Sequence, residues 1–289
     1  MTTAQVLRSR FPRATANLRR YGGAATGGLE EAGKLGWFTL LAGRDVAIAL
    51  TRYRTEVLRL VAEVGMGTGA LAVIGGTAAI VGLTVASTGA LVALQGFSAL
   101  SHLGISALMG FVAALINVRL TIPVVAGFAL AATVGAGATA ELGAMRISEE
   151  IDALEAMGIN SRAYLASTRA LAVQVVIIPM YALALVVGFV APQLVTVVAY
   201  GQPSGSYAHY FNTFLRPNDV FWSFVMMIVV AGVVMLVHCY YGYNASGGPV
   251  GVGEAVGRSM RLSLIAVPVV LVLFQMALYG TDPNFNFTV

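Results

Sequence analysis

The chain has 289 residues, of which 58% are hydrophobic and 10% charged, and its formal net charge is +4. Soluble domains carry about 25% charged residues, so too little charge is present here to cover a water-facing surface, and an ordinary soluble fold is excluded. The cations lie between apolar runs and form no basic face interleaved with aromatics, which argues against a nucleic-acid partner. Cys239 is the only cysteine, which excludes an internal disulfide and a CxxC metal site.

From Met1 to Arg20 the chain is basic and polar and lacks the apolar centre of a signal peptide, so the N-terminus is expected to be retained. Residues 1–63 read as a polar, glycine-punctuated segment. Its one apolar patch, Leu35 to Leu50, is broken by Arg44 and Asp45 and is too interrupted to span a membrane. Trp37 and Phe38 beside Lys34 and Arg44 suit a helix lying at a membrane interface, where indole and ammonium groups both reach water. A helix packed on a partner fits the same pattern. Gly28 to Lys34 has the GxxxxGK spacing of a phosphate-binding loop, but Leu35 stands where Ser or Thr must hold magnesium, and no buried strand precedes it. Nucleotide binding is therefore not expected, and ATP-driven work would need another polypeptide.

Residues 64–289 read as one membrane domain. Apolar runs of about 18 or more residues can cross a hydrocarbon core as helices, and five are expected near Met66–Leu94, Ile105–Ala138, Tyr164–Ala199, Val220–Tyr241 and Met260–Tyr279. Pro123, Pro179, Pro192 and Pro268 each remove a backbone donor and predict breaks. Tyr200 to Asp219, with Gly201, Pro203, Gly205 and Pro217, reads as an ordered loop outside the membrane. Fifteen of the 17 Lys and Arg residues fall on one side of this arrangement, with Arg216 on the other and Arg119 within the second span. Cation-rich loops stay cytoplasmic, so the N-terminus is expected inside and the C-terminus outside. Splitting the second span at Arg119 would invert everything after it and put five of those cations outside, so five spans fit better.

His102, His209 and His238 fall in different segments and lack metal-site spacing, and His238 reads as a hydrogen-bonded structural residue. Two features stand out. Arg119, with Asn117 nearby, lies inside an apolar run, where a bare charge costs roughly 2.5–3.5 kcal/mol on insertion scales. It should therefore face a cavity, a lipid headgroup or a structural partner. The second feature is an acidic island from Glu141 to Gly158, in which Ser148 can cap a helix whose first turn carries Glu149, Glu150 and Asp152, and Gly158 can close it. Ile147, Ile151 and Leu154 recur on one face of such a helix. The arrangement suits either a solvated loop helix or a docking helix for a partner.

The run Gly137 to Arg146, continuing through Glu150-Ile151-Asp152-Ala153-Leu154-Glu155-Ala156-Met157-Gly158, resembles the signature of the MlaE/YrbE permease family. Pro123-Val124-Val125, Leu94-Gln95-Gly96 and Tyr241-Gly242-Tyr243-Asn244-Ala245 are also similar to family patterns, and together the resemblance covers roughly residues 66–280. The Ala/Gly/Val-rich, lysine-poor composition resembles the actinobacterial members, which serve Mce systems.

The resemblance implies an all-α permease subunit of the bacterial cytoplasmic membrane that moves lipid of the fatty acid, sterol or phospholipid class, with import the expected direction. It implies no cofactor on this chain, with ATP and Mg held by a cytoplasmic ABC ATPase dimer, and it implies a second YrbE-type permease as heterodimer partner and Mce proteins outside. The acidic segment then becomes the coupling helix, with Glu141, Met145, Arg146, Glu149, Glu150, Ile151, Asp152, Leu154, Glu155 and Met157 as ATPase-docking residues. Arg119 and Asn117 become the substrate-path residues. Family members elsewhere often have Arg-Glu-Leu-Gly-Pro where this chain has Arg119-Leu120-Thr121-Ile122-Pro123, and an Arg where it has Thr133, so the acid and the base of a shared polar lipid-handling mechanism are both missing here, which fits a partner permease that supplies them. Two other classes remain to be distinguished. A secondary transporter would need intramembrane acids or histidines, and a lipid enzyme would need catalytic side chains gathered at one interface.

Overall fold

A computed structural model of the chain describes residues 12–66 and 76–280, with side chains at 30–65 and 76–280. Among the described residues every regular element is a helix. Two compact units are present, residues 1–44 and 45–289.

Helix α1, Pro12–Arg52, runs through the GxxxxGK stretch without a break. Lys34 pairs there with Glu30 at 2.8 Å, one turn away, in a helix and not in a phosphate-binding loop. Trp37 and Leu40 are exposed. Helix α2, Arg54–Met66, carries Arg59 between Glu56 and Glu63 at 2.6 and 3.0 Å.

Among the described residues, five helical segments are long and apolar enough to cross a membrane, as the hydropathy pattern requires. The first span is α3, Gly76–His102. The second, Ser106–Ile147, contains α4 (Met109–Val112), α5 (Ile122–Leu130) and α6 (Ala136–Ile147), joined by π-helical turns at Ala113–Thr121 and Ala131–Gly135. A short helix, α7 (Glu150–Ala156), follows. The third span, Ala163–Ala199, centres on α8 (Thr168–Leu194), with π-helical turns at each end. The segment expected as an ordered loop contains a helix, α9 (Ser204–Phe214). The fourth and fifth spans are α10, Pro217–Tyr243, and α11, Gly248–Tyr279.

Helix α10 is central and packs against α5, α6, α8 and α11. Small residues set how closely it approaches them. A Cβ on Gly135 would lie 2.6 Å from the His238 ring, and one on Gly242 would meet the Thr139 carbonyl and Leu142 Cβ at 2.9 Å. The space left at Gly135 admits the His238 imidazole, whose Nδ1 is 2.7 Å from Thr139 Oγ1. His238 is thus a buried, hydrogen-bonded residue at a helix junction. The fifth span is the least enclosed, with 17% of its most apolar window buried against 44% for the second, third and fourth, so most of its surface is left for lipid or another subunit. At the end remote from α7, α9 packs its buried Tyr207 into a cluster with Ala93, Met109 and Ala113.

Candidate functional site

Pro123 organises the first site. A proline cannot donate to the ladder, so the carbonyls four and five residues earlier, Arg119 and Val118, lose the partner that an α- or π-turn would give them. The second span widens into a π turn here, with the Ile122 amide bonding Asn117 O. Neighbouring spans supply both missing donors: Ser223 of α10 donates to Val118 O at 2.9 Å, and Gln275 Nε2 of α11 donates to Arg119 O. With its one proton committed, Ser223 accepts from the buried Tyr181 hydroxyl of α8. Pro192 creates a similar vacancy at Gly188 O, and Asn117 Nδ2 approaches it at 3.4 Å from a fully buried position.

The Arg119 side chain leans toward the end of the bundle remote from α7. Its Nη2 meets Asp219 Oδ2 at 2.9 Å, and its Cζ lies 4.0 Å from the Tyr279 ring centroid. Tyr279 in turn donates its hydroxyl to Asp219 Oδ1 at 2.8 Å. Asp219 sits in the first turn of α10 and is 7% exposed, and Tyr279 ends α11. The cation expected in mid-span therefore has its charge drawn to the ends of two adjacent helices and neutralised there, which removes most of the insertion penalty. Beside it runs an apolar groove of about 450 Å³, lined by Leu115, Ile116, Leu120, Val272 and Met276, with Arg119 at its polar margin.

Sequence reasoning left Asp219 in a loop and missed its role. The signal was present: Pro217 followed by an acid two residues later is a helix start, with proline at the first position and a carboxylate near the positive dipole end. Gln275 and Tyr279, one turn apart at the end of an apolar helix, gave no comparable signal. Asp219 is an acid at the end of a span, and its charge is engaged by Arg119.

The second site is the segment between the second and third spans. Ser148 does not cap α7 as its position suggested. Its hydroxyl bonds back to Ala144 O at 3.0 Å and to the Glu150 carboxylate at 2.8 Å. The chain turns instead through Glu149, a non-glycine residue at φ 61°. Gly158, at φ 75°, closes the helix as expected, its amide on Glu155 O and that of Ile159 on Leu154 O.

The apolar stripe divides. Ile151 is fully buried and Leu154 half-buried, so these residues seat α7 on its own chain, while Ile147 and Met157 are exposed. The carboxylates divide too. Asp152 pairs with Arg146 at 2.6 Å, and Glu141 pairs at 2.8 Å with the buried Arg169, whereas Glu149 and Glu150 face outward. Met145 is half-buried. Glu155 Oε1 accepts from Ser161 at 2.6 Å and from Tyr243, the last residue of α10, at 2.9 Å. Those two hydrogen bonds, Ser161 first, hold the Glu155 carboxyl below its ordinary value of 4.5. Close by, Arg162 pairs with Asp45 at 2.8 Å.

A bundle of five long apolar helical segments with a short helix tethered between two of them defines a multi-pass integral membrane protein. The model of the MlaE permease family matches residues 66–277, and the chain belongs to that family. It is 31% identical over 188 residues, covering 65% of this chain and 73% of the relative, to a probable ABC transporter permease protein of Rickettsia bellii. A Synechocystis probable ABC transporter permease protein is 26% identical over 57% of this chain and 63% of its own. The chloroplastic Arabidopsis thaliana protein TRIGALACTOSYLDIACYLGLYCEROL 1 is 27% identical over 58% of this chain and 48% of its own. Permease subunits of this kind are not catalytic, and an ABC permease implies an ATPase partner.

Proposed function

We propose that this chain is one of two permeases in an ATP-driven lipid importer of the bacterial cytoplasmic membrane, paired as a heterodimer with a second YrbE-type subunit and working with external Mce proteins. ATP and Mg bind to the separate ATPase dimer, and α7 is the helix that seats on it. The observation that carries this reading is α7 itself. It is anchored inward by Ile151 and presents Glu149, Glu150, Asp152 and Met157 outward, between two spans of a chain in an ABC permease family. The cation asymmetry supports a cytoplasmic position for α7. The actinobacterial type of composition supports the Mce assignment, and the lipid class is supported by the apolar groove beside Arg119 and by the galactolipid in the Arabidopsis relative's name.

Met157 is 66% exposed, so Met157→Asp changes the docking face without disturbing the seat of α7. It should release the ATPase from the purified membrane complex while the permease still inserts. Leu154→Asp should do the same but also loosen α7, because Leu154 is half-buried. An ATPase that stays bound at full stoichiometry in the Met157 variant rules out this docking surface.

A further inference from the structure

Among the described spans, only the first and fourth run without an interior proline or a π-helical turn. The fourth, α10, is the one whose end is hydrogen-bonded to α7: Tyr243, Ser161 and Glu155 form a closed triangle of contacts at 2.6, 2.7 and 2.9 Å. Its opposite end, about 40 Å away for 27 residues at 1.5 Å rise, carries Asp219, which holds Arg119 and Tyr279. Between the ends Ser223 is pinned to Val118 O, so the helix is bonded to the second span as well as packed on it.

A helix without interior prolines or widened turns, bonded at both ends, transmits displacement, whereas helices that carry them bend and absorb it. The second and third spans flank α7 directly, but both carry such interruptions. We infer that α10 is the rod that carries motion of α7 to the Arg119–Asp219–Tyr279 cluster, and that Tyr243 is the positioning residue joining the two. This rests on the reading of α7 as the ATPase-docking helix. Movement of α7 pulls the Glu155 carboxylate, and through the Tyr243 hydroxyl it shifts α10 along or about its axis. Asp219 moves with α10 relative to the guanidinium, so the polar margin of the groove at Leu120 and Met276 is rearranged from the far side of the bundle.

The test uses the whole complex of both permeases and the ATPase. Nitroxide labels are placed on cysteines introduced at the exposed positions Asn218, on α10, and Ser101, on α3, with Cys239 buried and unreactive. Addition of a non-hydrolysable ATP analogue with Mg should shift the distance distribution in the otherwise unaltered protein. Tyr243→Phe, which removes only the hydroxyl, should abolish the shift while the ATPase remains bound and hydrolyses ATP. Glu155→Gln keeps an acceptor oxygen for Tyr243 and should retain the shift. If Tyr243→Phe accumulates poorly, Ser161→Ala must weaken the shift instead, and a full shift in Ser161→Ala then overturns the relay. The relay is also overturned by an undiminished shift in Tyr243→Phe, by no shift in the unaltered protein, or by loss of the ATPase from Tyr243→Phe. Failure of the docking reading shows separately, as an ATPase retained by the Met157→Asp complex.

Discussion

Arg119 and Asp219 show how one residue's meaning depends on a second that is 100 positions away. Each is nearly buried, and removing one partner of a buried pair typically costs about 3–5 kcal/mol, because the other is left as an uncompensated charge. Asp219→Ala should therefore lower stability by about that amount, read as a drop in the unfolding midpoint in detergent. Replacing both Arg119 and Asp219 by leucine should restore most of the loss, since apolar substitutes of similar size are often neutral. This pair of variants also separates the two roles open to Arg119. If the guanidinium contacts lipid, the double variant is stable yet fails to transport, and normal uptake by it removes Arg119 from the substrate path. Glu155 gives a pH signature. Its carboxyl is held below 4.5 when folded, so its contribution is complete above that value and is lost as pH falls through the lowered one. Protease cleavage near α7 should therefore rise only in acid below about 4.5, and a rise beginning near neutrality would contradict the assignment.

At the scale of elements, Pro123 shows how a break in one span is repaired by its neighbours. Pro123, Pro179, Pro192 and Pro268 all pointed to breaks, yet the helices run on through Pro179, Pro192 and Pro268, and the carbonyls freed at Pro123 and Pro192 take donors from Gln275, Ser223 and Asn117 on other segments, which no local pattern reveals. Gln275→Leu should cost about 1–3 kcal/mol by leaving Arg119 O unsatisfied. In a Pro123→Ala background, which returns a backbone amide, the same change should cost much less. A double-mutant cycle measures the difference, and additive effects would show that Pro123 is not the cause. The island between the second and third spans was legible as a short helix ending at Gly158, because glycine closure is a local property. Its start was not legible: Ser148 is drawn back to Ala144 O, and the turn falls on Glu149, a residue type that does not favour φ 61°. The outward or inward sense of Ile151 was equally hidden, since periodicity gives a face and not the neighbour that covers it.

For the whole molecule, a helical bundle and a membrane setting followed from hydropathy, and five spans in place of six from the cation asymmetry. The order of the helices around α10 did not, because it depends on close approaches at Gly135 and Gly242 that no local pattern reveals. Topology extends the same account. The cation asymmetry predicts that a cysteine at Ser206 reacts with an impermeant thiol reagent from outside intact cells and one at Ser246 does not; the reverse labelling would invert the orientation. The central claim, an ATP-driven permease subunit, meets its most direct test in proteoliposomes containing the purified permease pair, its ATPase and its Mce partner. The measurement is transfer of a fluorescent phospholipid and a fluorescent fatty acid, with ATP, without ATP, and with a proton gradient in place of ATP. The account predicts transfer of at least one probe only when ATP is hydrolysed. Transfer by the permeases alone, driven by the proton gradient and indifferent to ATP, would contradict it and make Asp219 the centre of a different transporter.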